Sequence, residues 1–233
     1  CMLKAHGDYI LPDNVPANEF LNLEGDKIST SRNWAVWLHE YLEDFPGMQD
    51  VMRYVLCATA PESKHNDFTW KDFQTRNNSE LVGIYGNFIN RVVVLTNKYY
   101  DGCVPKRGLL TDDDCQVISE LKLLPVKIAK SIEAYRFREA LMEVMNLARL
   151  GNKYLADEEP WKLVKSDKVQ AGNILYHCAE SLRLAAIMLS PVMPSKTKDI
   201  LDILGTNDVE LVWGKLKPES KISISKPVFP RIS

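Results

Sequence analysis

Five consecutive residues near the amino terminus, Lys27-Ile28-Ser29-Thr30-Ser31, combine an ammonium group with three hydroxyl groups. A turn at Glu24-Gly25-Asp26 precedes them, and Arg32 follows them. A loop of this kind ahead of a helix can present cations, hydroxyls and backbone N–H donors to phosphate groups. The pattern therefore indicates a site that stabilises negative charge on a nucleotide. A solvated serine-rich turn is the alternative interpretation.

A second pair of polar side chains lies on a long amphipathic stretch. Asn87 and Arg91 are four residues apart, so that on a helix they share one face. Their amide and guanidinium groups can offer hydrogen-bond donors to the edges of nucleobases. Gly83 and Gly86, about one turn earlier, would let a bulky ligand approach the backbone closely. A surface pair beside helix-packing glycines is the plainer alternative.

A third feature is the segment Asn152-Lys153-Tyr154-Leu155-Ala156-Asp157-Glu158-Glu159-Pro160-Trp161. Trp161 offers a broad face on which an unstacked base can lie, a contact worth roughly 1–3 kcal/mol per base. A single tryptophan in a helical protein is also commonly a core anchor. The acidic pair Glu158 and Glu159 is better explained as a solvated turn than as a catalytic couple.

Helical periodicity predicts most of the elements that position these side chains. An extended segment at Phe20–Leu23 is expected before the turn and the loop. Helices are predicted at Trp34–Phe45, after Asp50, along Leu81–Tyr99 with an end at Asp101-Gly102, from a Thr111 cap through Ile132, along Phe137–Tyr154, at 168–190, and after Pro194. Pro125 is expected to bend the Thr111 helix by removing a backbone donor.

The polar stretch Thr59–Asp72, which contains Pro61, is interpreted as a linker between two units. Residues 1–70 then form the first unit, and residues 71–233 form an antiparallel bundle of about five helices. The tail from Val209 to Ser233 should wrap irregularly, or in short strands, over the bundle or the first unit.

Composition limits the classes of function. The chain has 45% hydrophobic and 26% charged residues, and no apolar run reaches the roughly 18–20 residues of a membrane span. Residues 1–75 contain six Lys or Arg against twelve Asp or Glu, whereas residues 76–107 contain five against two. Any nucleic-acid contact should therefore be local rather than a global basic surface. We expect neither membrane nor DNA as a partner.

The cysteines and histidines show no spacing typical of a metal site or a catalytic triad. Five scattered cysteines without a C-x-x-C pair predict reduced thiols and a cytoplasmic location. The chain begins at Cys1 without an initiator methionine, and we expect it to be a fragment. We predict no metal-binding residues in it. The histidines are His6, His39, His65 and His177.

The segment Lys27–Ser31 resembles the Lys-Met-Ser-Lys-Ser loop of class I aminoacyl-tRNA synthetases. That family places the loop before a helix, a D-x-x-R-Y segment and a helical domain, and Asp50-Val51-Met52-Arg53-Tyr54 stands in the same order here. The segment Asn152–Trp161 closely resembles the part of methionyl-tRNA synthetases whose Pro-Trp pair helps to bind the anticodon. The resemblance extends from Phe20 to the Lys226–Ile232 ending.

For the first unit, the resemblance implies the carboxy-terminal edge of a Rossmann-type catalytic domain. Lys27, Ser29, Thr30 and Ser31 would be its catalytic loop, with Lys27 and Thr30 at the phosphates of ATP. The family usually has lysine where Thr30 stands, so one cationic contact is absent and Arg32 is a possible substitute. For the second unit, the resemblance implies a mainly α fold, a helical anticodon-binding domain.

In that domain the resemblance assigns Asn87 and Arg91 to hydrogen bonding with anticodon bases and Trp161 to stacking, with Pro160 as the other member of the anticodon-binding pair. The full-length enzyme would use ATP and Mg²⁺ to join methionine to its tRNA, with the missing amino-terminal catalytic domain in cis. The fragment alone should hold no cofactor and form no adenylate at a useful rate. A leucyl, isoleucyl, valyl or cysteinyl enzyme, or a non-catalytic helical interaction module, are the alternatives.

Overall fold

The computed structural model describes residues 1–108, 112–223 and 227–233. In the first part, short elements follow one another: α1 Met2–His6, β1 Leu21–Leu23, β2 Asp26–Lys27, a 3₁₀ turn Thr30–Arg32, α2 Leu38–Asp44, α3 Gln49–Ala58 and β3 Asn66–Phe68. Helices then dominate: α4 Trp70–Arg76, a π-helical stretch Asn77–Gly86, α5 Asn87–Tyr100, α6 Asp112–Glu133, α7 Phe137–Glu158, α8 Pro160–Leu163, α9 Lys168–Leu189 and α10 Pro194–Ile203. The architecture is mainly α with one small sheet, as the sequence predicts.

The sheet has β1 in its centre, with β2 antiparallel on one side and β3 parallel on the other. The β1–β2 hairpin turns through Glu24 and Gly25, whose φ angles of 50° and 83° are both positive. Two-residue hairpin turns of type I′ require positive φ at both positions, and glycine adopts it without steric cost. The turn places Lys27 at the end of β2, where the candidate nucleotide loop begins.

The linker predicted over Thr59–Asp72 is wrong in its second half. The backbone of β3 pairs with β1 in the register Leu21↔Asn66 and Leu23↔Phe68, so this polar stretch completes the sheet. Phe68 is buried, and its ring meets Trp70 edge to face at 5.3 Å. The polar composition misled the prediction because the pairing partner lies more than forty residues away in the sequence.

The helix predicted from Trp34 to Phe45 begins only at Leu38. The backbone of Trp34 is instead paired with Ser29, with the Trp34 N–H donating to the Ser29 carbonyl at 2.8 Å. The indole N–H of Trp34 donates to the carbonyl of Leu23 at 3.0 Å. These bonds hold the first residues of the apolar pattern in an extended conformation against the sheet.

One continuous helical rod runs through α4, the π-helical stretch and α5, from Trp70 to Tyr100. It therefore starts eleven residues before Leu81, the first position of the predicted pattern. Thr69 caps the amino terminus by accepting a hydrogen bond from the Asp72 N–H at 3.0 Å. The rod ends as predicted, at Asp101 in the left-handed conformation. Its buried stripe is Leu81, Tyr85, Phe88, Val92 and Thr96.

The helix α9 forms the centre of the bundle, and every residue from Ala171 to Leu189 is buried. The helices α5, α7, α8 and α10 pack against it, and α6 packs on α7. Pro125 lies inside α6, which continues through it. Thr111, the predicted cap of α6, lies outside the described residues. Within the described ranges, no helix is long and apolar enough to cross a membrane.

Two charged residues of α3 join the first part of the chain to the turn between α9 and α10. The carboxylate of Asp50 accepts from the Lys196 N–H at 2.7 Å, in the first turn of α10. Arg53 donates from Nε to the Val192 carbonyl at 2.7 Å and from Nη2 to the Pro191 carbonyl at 2.8 Å. The D-x-x-R part of the Asp50–Tyr54 segment thus stabilises the position of the bundle relative to α3.

A buried ion pair on α9 holds the beginning of the tail. Arg183 and Glu180 are fully buried, and their charged groups approach to 2.6 Å. The guanidinium donates to the carbonyls of Asp208, Glu210 and Val212. The Glu180 carboxylate accepts from the N–H groups of Gly214, Lys215 and Leu216. Because each charge is paired and hydrogen-bonded, its burial is compensated.

The last residues lie along the long rod. Phe229 is buried with its ring 5.9 Å from that of Tyr85. Asn77 donates to the Pro230 carbonyl at 2.9 Å, and Asn78 donates to the Ile232 carbonyl at 2.8 Å. The described part of the tail wraps over the bundle without regular structure, as predicted.

Candidate nucleic-acid interface

The side chains of Asn87 and Arg91 lie on the first turns of α5 and meet the same residue of α7. The Asn87 amide donates to Oδ1 of Asn152 at 3.1 Å. The Arg91 guanidinium donates from Nη1 to the Asn152 main-chain carbonyl at 2.9 Å and lies 3.4 Å from its Oδ1. Asn87 is exposed and Arg91 is half-buried, so both retain a side open to solvent.

The ring of Trp161 lies beside Arg91, whose Cζ is 5.7 Å from the ring centroid. A cation over an indole face is attracted by the ring, and the contact orients both groups. Trp161 is half-buried, so part of its surface remains accessible. The guanidinium and the indole thus form one continuous surface.

The break between α7 and α8 explains how Trp161 reaches this position. Glu159 ends α7 with a φ of 42° and also precedes the first turn of α8. Pro160 occupies the first position of α8, where its missing N–H is not needed. Pro160 is buried. Its burial fixes the start of α8 and thereby the placement of Trp161, and its predicted part in anticodon binding stays a prediction.

The guanidinium of Arg91 makes no ion pair within the described residues. Burial raises the pKa of the Cys178 thiol well above its ordinary value, while the nearby charge of Arg91 acts in the opposite direction. Cys178 is therefore a neutral neighbour at physiological pH and does not neutralise Arg91. The positive charge remains available to an anionic or electron-rich ligand.

The two glycines before Asn87 have different surroundings. A Cβ placed on Gly86 would lie 3.7 Å from the ring of Phe229, so the tail rather than a ligand approaches this position. Gly83 is exposed. Both glycines line a cleft of about 420 Å³ between the rod and residues 227–231.

The candidate nucleotide loop is a small, exposed turn. Ser29 and Trp34 exchange two backbone hydrogen bonds of 2.9 and 2.8 Å, which close the loop at its base. Lys27, Thr30 and Ser31 are exposed. The hydroxyl oxygens of Ser29 and Ser31 are 3.2 Å apart.

Arg32, the possible substitute for the missing lysine, donates from Nη2 to the Lys27 carbonyl at 3.0 Å. One of its five donors is thus used within the loop, and the exposed guanidinium retains the others. The loop therefore carries two exposed cations, Lys27 and Arg32, with the Arg32 guanidinium beside the Lys27 main chain.

Sequence reasoning predicts Asn87, Arg91, Pro160 and Trp161 as site residues but gives no role to Asn152. The positions of α7 that face the core contain a feature that points to Asn152. Val144, Ala148 and Leu155 are buried, and Asn152 stands one turn after Ala148 on the same side. A polar residue at a core-facing position needs hydrogen-bond partners, and this requirement could have pointed to it.

Comparison with known proteins identifies the family. The family model described as the anticodon binding domain of methionyl tRNA ligase matches residues 104–230. The model described as tRNA synthetases class I (M) matches residues 1–93. The chain belongs to the methionyl-tRNA synthetase family. The resemblance found in the sequence is thereby confirmed, and these matches give no support to the other synthetases or to an interaction module without catalytic relatives.

Curated relatives and solved structures agree with this assignment. The methionine–tRNA ligase of Christiangramia forsetii is 58% identical over 97% of this chain and 35% of its own length. That of Flavobacterium psychrophilum is 58% identical over 96% of this chain and 32% of its own length. The chain therefore spans about a third of the curated relatives that it matches.

The solved structure of Mycobacterium tuberculosis methionyl-tRNA synthetase in complex with methionyl-adenylate superposes with a TM-score of 0.84 at 29% identity. The alignment covers 92% of this chain and 43% of the other. The structure of the apo form of the same enzyme gives a TM-score of 0.81 at 27% identity, covering 93% and 43% of the two chains. These matches confirm the predicted fold class.

Proposed function

We propose that this chain is the part of a methionine–tRNA ligase that reads the anticodon of methionine tRNA. One observation carries the proposal: the side chains of Asn87, Arg91 and Trp161 converge on one surface of a chain that belongs to this family. The amide and the guanidinium supply directional hydrogen-bond groups, and the indole supplies a stacking face. Single-stranded anticodon bases need both kinds of partner when they leave their stack.

The local charge supports this assignment. The guanidinium of Arg91 has no carboxylate partner within the described residues, whereas Lys106, further along the chain, is paired with Glu219 at 3.1 Å. The unpaired guanidinium attracts nearby phosphates only locally, and the net charge of −2 gives no general affinity for nucleic acid. Binding should therefore depend on base contacts more than on overall charge.

We also propose that the Lys27–Ser31 loop serves methionine activation in the full-length protein. ATP would supply the phosphates that leave or transfer in that reaction. The exposed Lys27 ammonium makes no ion pair within the described residues, and the exposed hydroxyls of Thr30 and Ser31 can donate hydrogen bonds. These groups fit a polyphosphate. Arg32 adds a second positive charge in place of the lysine that the family usually has at position 30.

The proposed reaction also uses Mg²⁺. Within the described residues, no group of three His, Cys, Asp or Glu side chains could hold a metal ion. We propose that Mg²⁺ arrives with the nucleotide phosphates, since it commonly keeps its waters and binds through substrate phosphates.

The surface of the first part supports a catalytic domain in cis as its partner. Ile28, Leu38 and Leu56 are 41%, 69% and 39% exposed. An apolar cleft of about 250 Å³ opens beside them, between Leu23 and Met52. Exposed apolar patches of this kind mark interaction surfaces. We propose that the remainder of the longer protein covers this face, with residues 1–70 belonging to the catalytic unit and 71–233 to the anticodon-binding unit.

Direct titration tests the proposed function. The full-length protein is titrated with a methionine anticodon stem-loop, with the same stem-loop carrying one changed anticodon base, and with an unrelated tRNA. The wild type should prefer the first. Arg91→Ala should weaken binding and reduce the preference for the correct anticodon, because the lost contact reads a base edge.

Arg149→Ala is the matched control, since Arg149 is an exposed arginine of α7 that donates to Asn146 instead. It should bind both stem-loops as the wild type does. Equal binding of cognate and altered stem-loops by the wild type, or wild-type behaviour of folded Arg91→Ala, would exclude this anticodon site.

A further inference from the structure

Asn152 connects the two proposed base-reading side chains. Its amide nitrogen donates to the Ile84 carbonyl at 2.9 Å and to the Ala148 carbonyl at 3.1 Å. Its Oδ1 accepts from Asn87 and lies beside the Arg91 guanidinium. One half-buried side chain thus contacts the long rod, its own helix and both functional residues.

The two carbonyl partners determine the direction of the Asn152 amide. A carbonyl oxygen can only accept, so the NH₂ group must face Ile84 and Ala148, and Oδ1 must face the opposite side. That oxygen meets Asn87 Nδ2 at 3.1 Å. The NH₂ group of Asn87 is thereby turned towards Asn152, and its carbonyl oxygen is left for solvent or a ligand.

We propose that Asn152 is the positioning residue of the interface: it sets the amide direction of Asn87 and the guanidinium direction of Arg91 before RNA binds. This inference rests on the proposed anticodon-binding function and adds a residue that acts through others. Asn152 needs no contact with RNA. With the acceptor of Asn87 and those donors of Arg91 that Asn152 does not use left for a ligand, the pair matches bases that present an amino group beside an acceptor atom.

Loss of the Asn152 amide should lower the affinity for RNA, because Asn87 and Arg91 would no longer be held in their binding orientation. Without Asn152 Oδ1, the Asn87 amide can rotate, and Arg91 keeps the main-chain carbonyl of residue 152 and the ring of Trp161. The orientation of Asn87 and Arg91 that binds RNA is then only one of several. The apparent affinity is the intrinsic affinity multiplied by the fraction of molecules in that orientation. Loss of one to two hydrogen bonds of this kind should reduce affinity by about 3- to 20-fold. The loss should be greater for the cognate stem-loop than for an altered one.

The test is a mutant cycle in the full-length protein, with affinities measured for the cognate stem-loop and for one with a changed anticodon base. Asn152→Leu removes the amide at similar volume, and Asn152→Ala removes it without a branched side chain. Both are measured alone and in an Asn87→Ala/Arg91→Ala background. Circular dichroism and thermal unfolding establish that each variant is folded at the temperature of the titration.

Asn146→Leu is the matched control. Asn146 lies on the same helix, and its Oδ1 accepts from Arg149 rather than from either base-reading residue. A purely structural role for Asn152 would change thermal stability but leave the cognate-to-altered ratio of affinities unchanged.

We expect Asn152→Leu or Asn152→Ala to lower this ratio in the single variants and to have almost no additional effect in the double-mutant background. Asn146→Leu should leave the ratio unchanged. If Asn87→Ala and Arg91→Ala weaken binding but neither Asn152 variant changes the ratio, the positioning role is wrong while the anticodon site stands. If Asn87→Ala and Arg91→Ala themselves bind like the wild type, the proposed function fails, and the positioning role with it.

Discussion

Gly151 packs directly against the ring of Phe88 where α7 crosses α5. A Cβ built on Gly151 would lie 2.2 Å from Phe88 Cζ, far inside van der Waals contact. On each helix a residue adjacent to this contact belongs to the candidate interface: Asn152 follows Gly151, and Asn87 precedes Phe88. The absence of a side chain at position 151 therefore lets the two helices approach closely enough for the Asn87–Asn152 hydrogen bond of 3.1 Å.

This crossing predicts a strong effect of Gly151→Ala. Phe88 is fully buried, so its ring has no free space into which to move. We expect a loss of roughly 1–3 kcal/mol in the free energy of unfolding, because overpacking forces shifts of side chains or backbone. Denaturant unfolding measures it. Gly108→Ala is the control, since its Cβ would meet nothing closer than 3.6 Å. Equal stability of the two variants would contradict the observed crossing.

The buried pair of Glu180 and Arg183 predicts a large effect of Glu180→Gln. The substitution removes the buried counter-charge of the Arg183 guanidinium and leaves only the Asp208 carboxylate, which is 31% exposed and 3.6 Å away. Breaking a buried pair in this way typically costs about 3–5 kcal/mol of stability. Amide hydrogen exchange should also quicken at Gly214 and Leu216, whose N–H groups bind the carboxylate. Unchanged unfolding and exchange would show that the pair does not hold the tail.

An ion pair whose carboxylate is exposed to solvent provides the comparison for Glu180→Gln. The Asp199 carboxylate is 54% exposed and lies 3.3 Å from Lys196 Nζ. Asp199→Asn should change the free energy of unfolding far less, because water screens exposed charges. A similar loss in both variants would mean that burial is not the cause.

The stacking role of Trp161 predicts a loss of affinity with little change in base preference. In the full-length protein, Trp161→Ala should weaken binding of the methionine anticodon stem-loop by roughly 1–3 kcal/mol, because every base has a face that can stack. Trp161→Phe should retain part of the affinity, since it keeps an aromatic face. Fluorescence or calorimetric titration distinguishes this result from Arg91→Ala, which should also change base preference. Wild-type affinity of folded Trp161→Ala would remove Trp161 from the site.

The proposed role of Lys27 predicts slower methionine activation. Lys27→Ala in the full-length protein should slow adenylate formation by about 10²-fold or more, comparable to the loss of one preorganised contact to the transition state. Methionine binding should barely change. Pyrophosphate exchange measures the rate, and Lys64→Ala, at an exposed lysine outside the loop, is the control. An unchanged exchange rate in Lys27→Ala would remove the loop from the mechanism.

The sequence by itself determined those features that depend on neighbouring residues. The period of apolar residues predicts α3, α7 and α9, and the left-handed turn at Asp101 and Gly102 ends the long rod as expected. The hairpin at Gly25 is likewise local, because its backbone angles select the residue type. The motif at Lys27–Ser31 and the Pro160-Trp161 pair also indicate the family, since each is a short run of residue types that can be read without any knowledge of packing.

Only the tertiary structure decided features whose partners lie far away in the sequence. The polar strand Asn66–Phe68 exists because β1 offers it a backbone partner, and Trp34 stays extended because it pairs with Ser29. The meeting of Arg91 with Trp161, seventy residues apart, depends on the packing of α5, α7 and α8. Local periodicity contains no information about such crossings, since a close approach depends on side-chain volume across two helices. For this reason the role of Asn152 follows from its hydrogen-bond partners on two helices and not from the pattern of α7 alone.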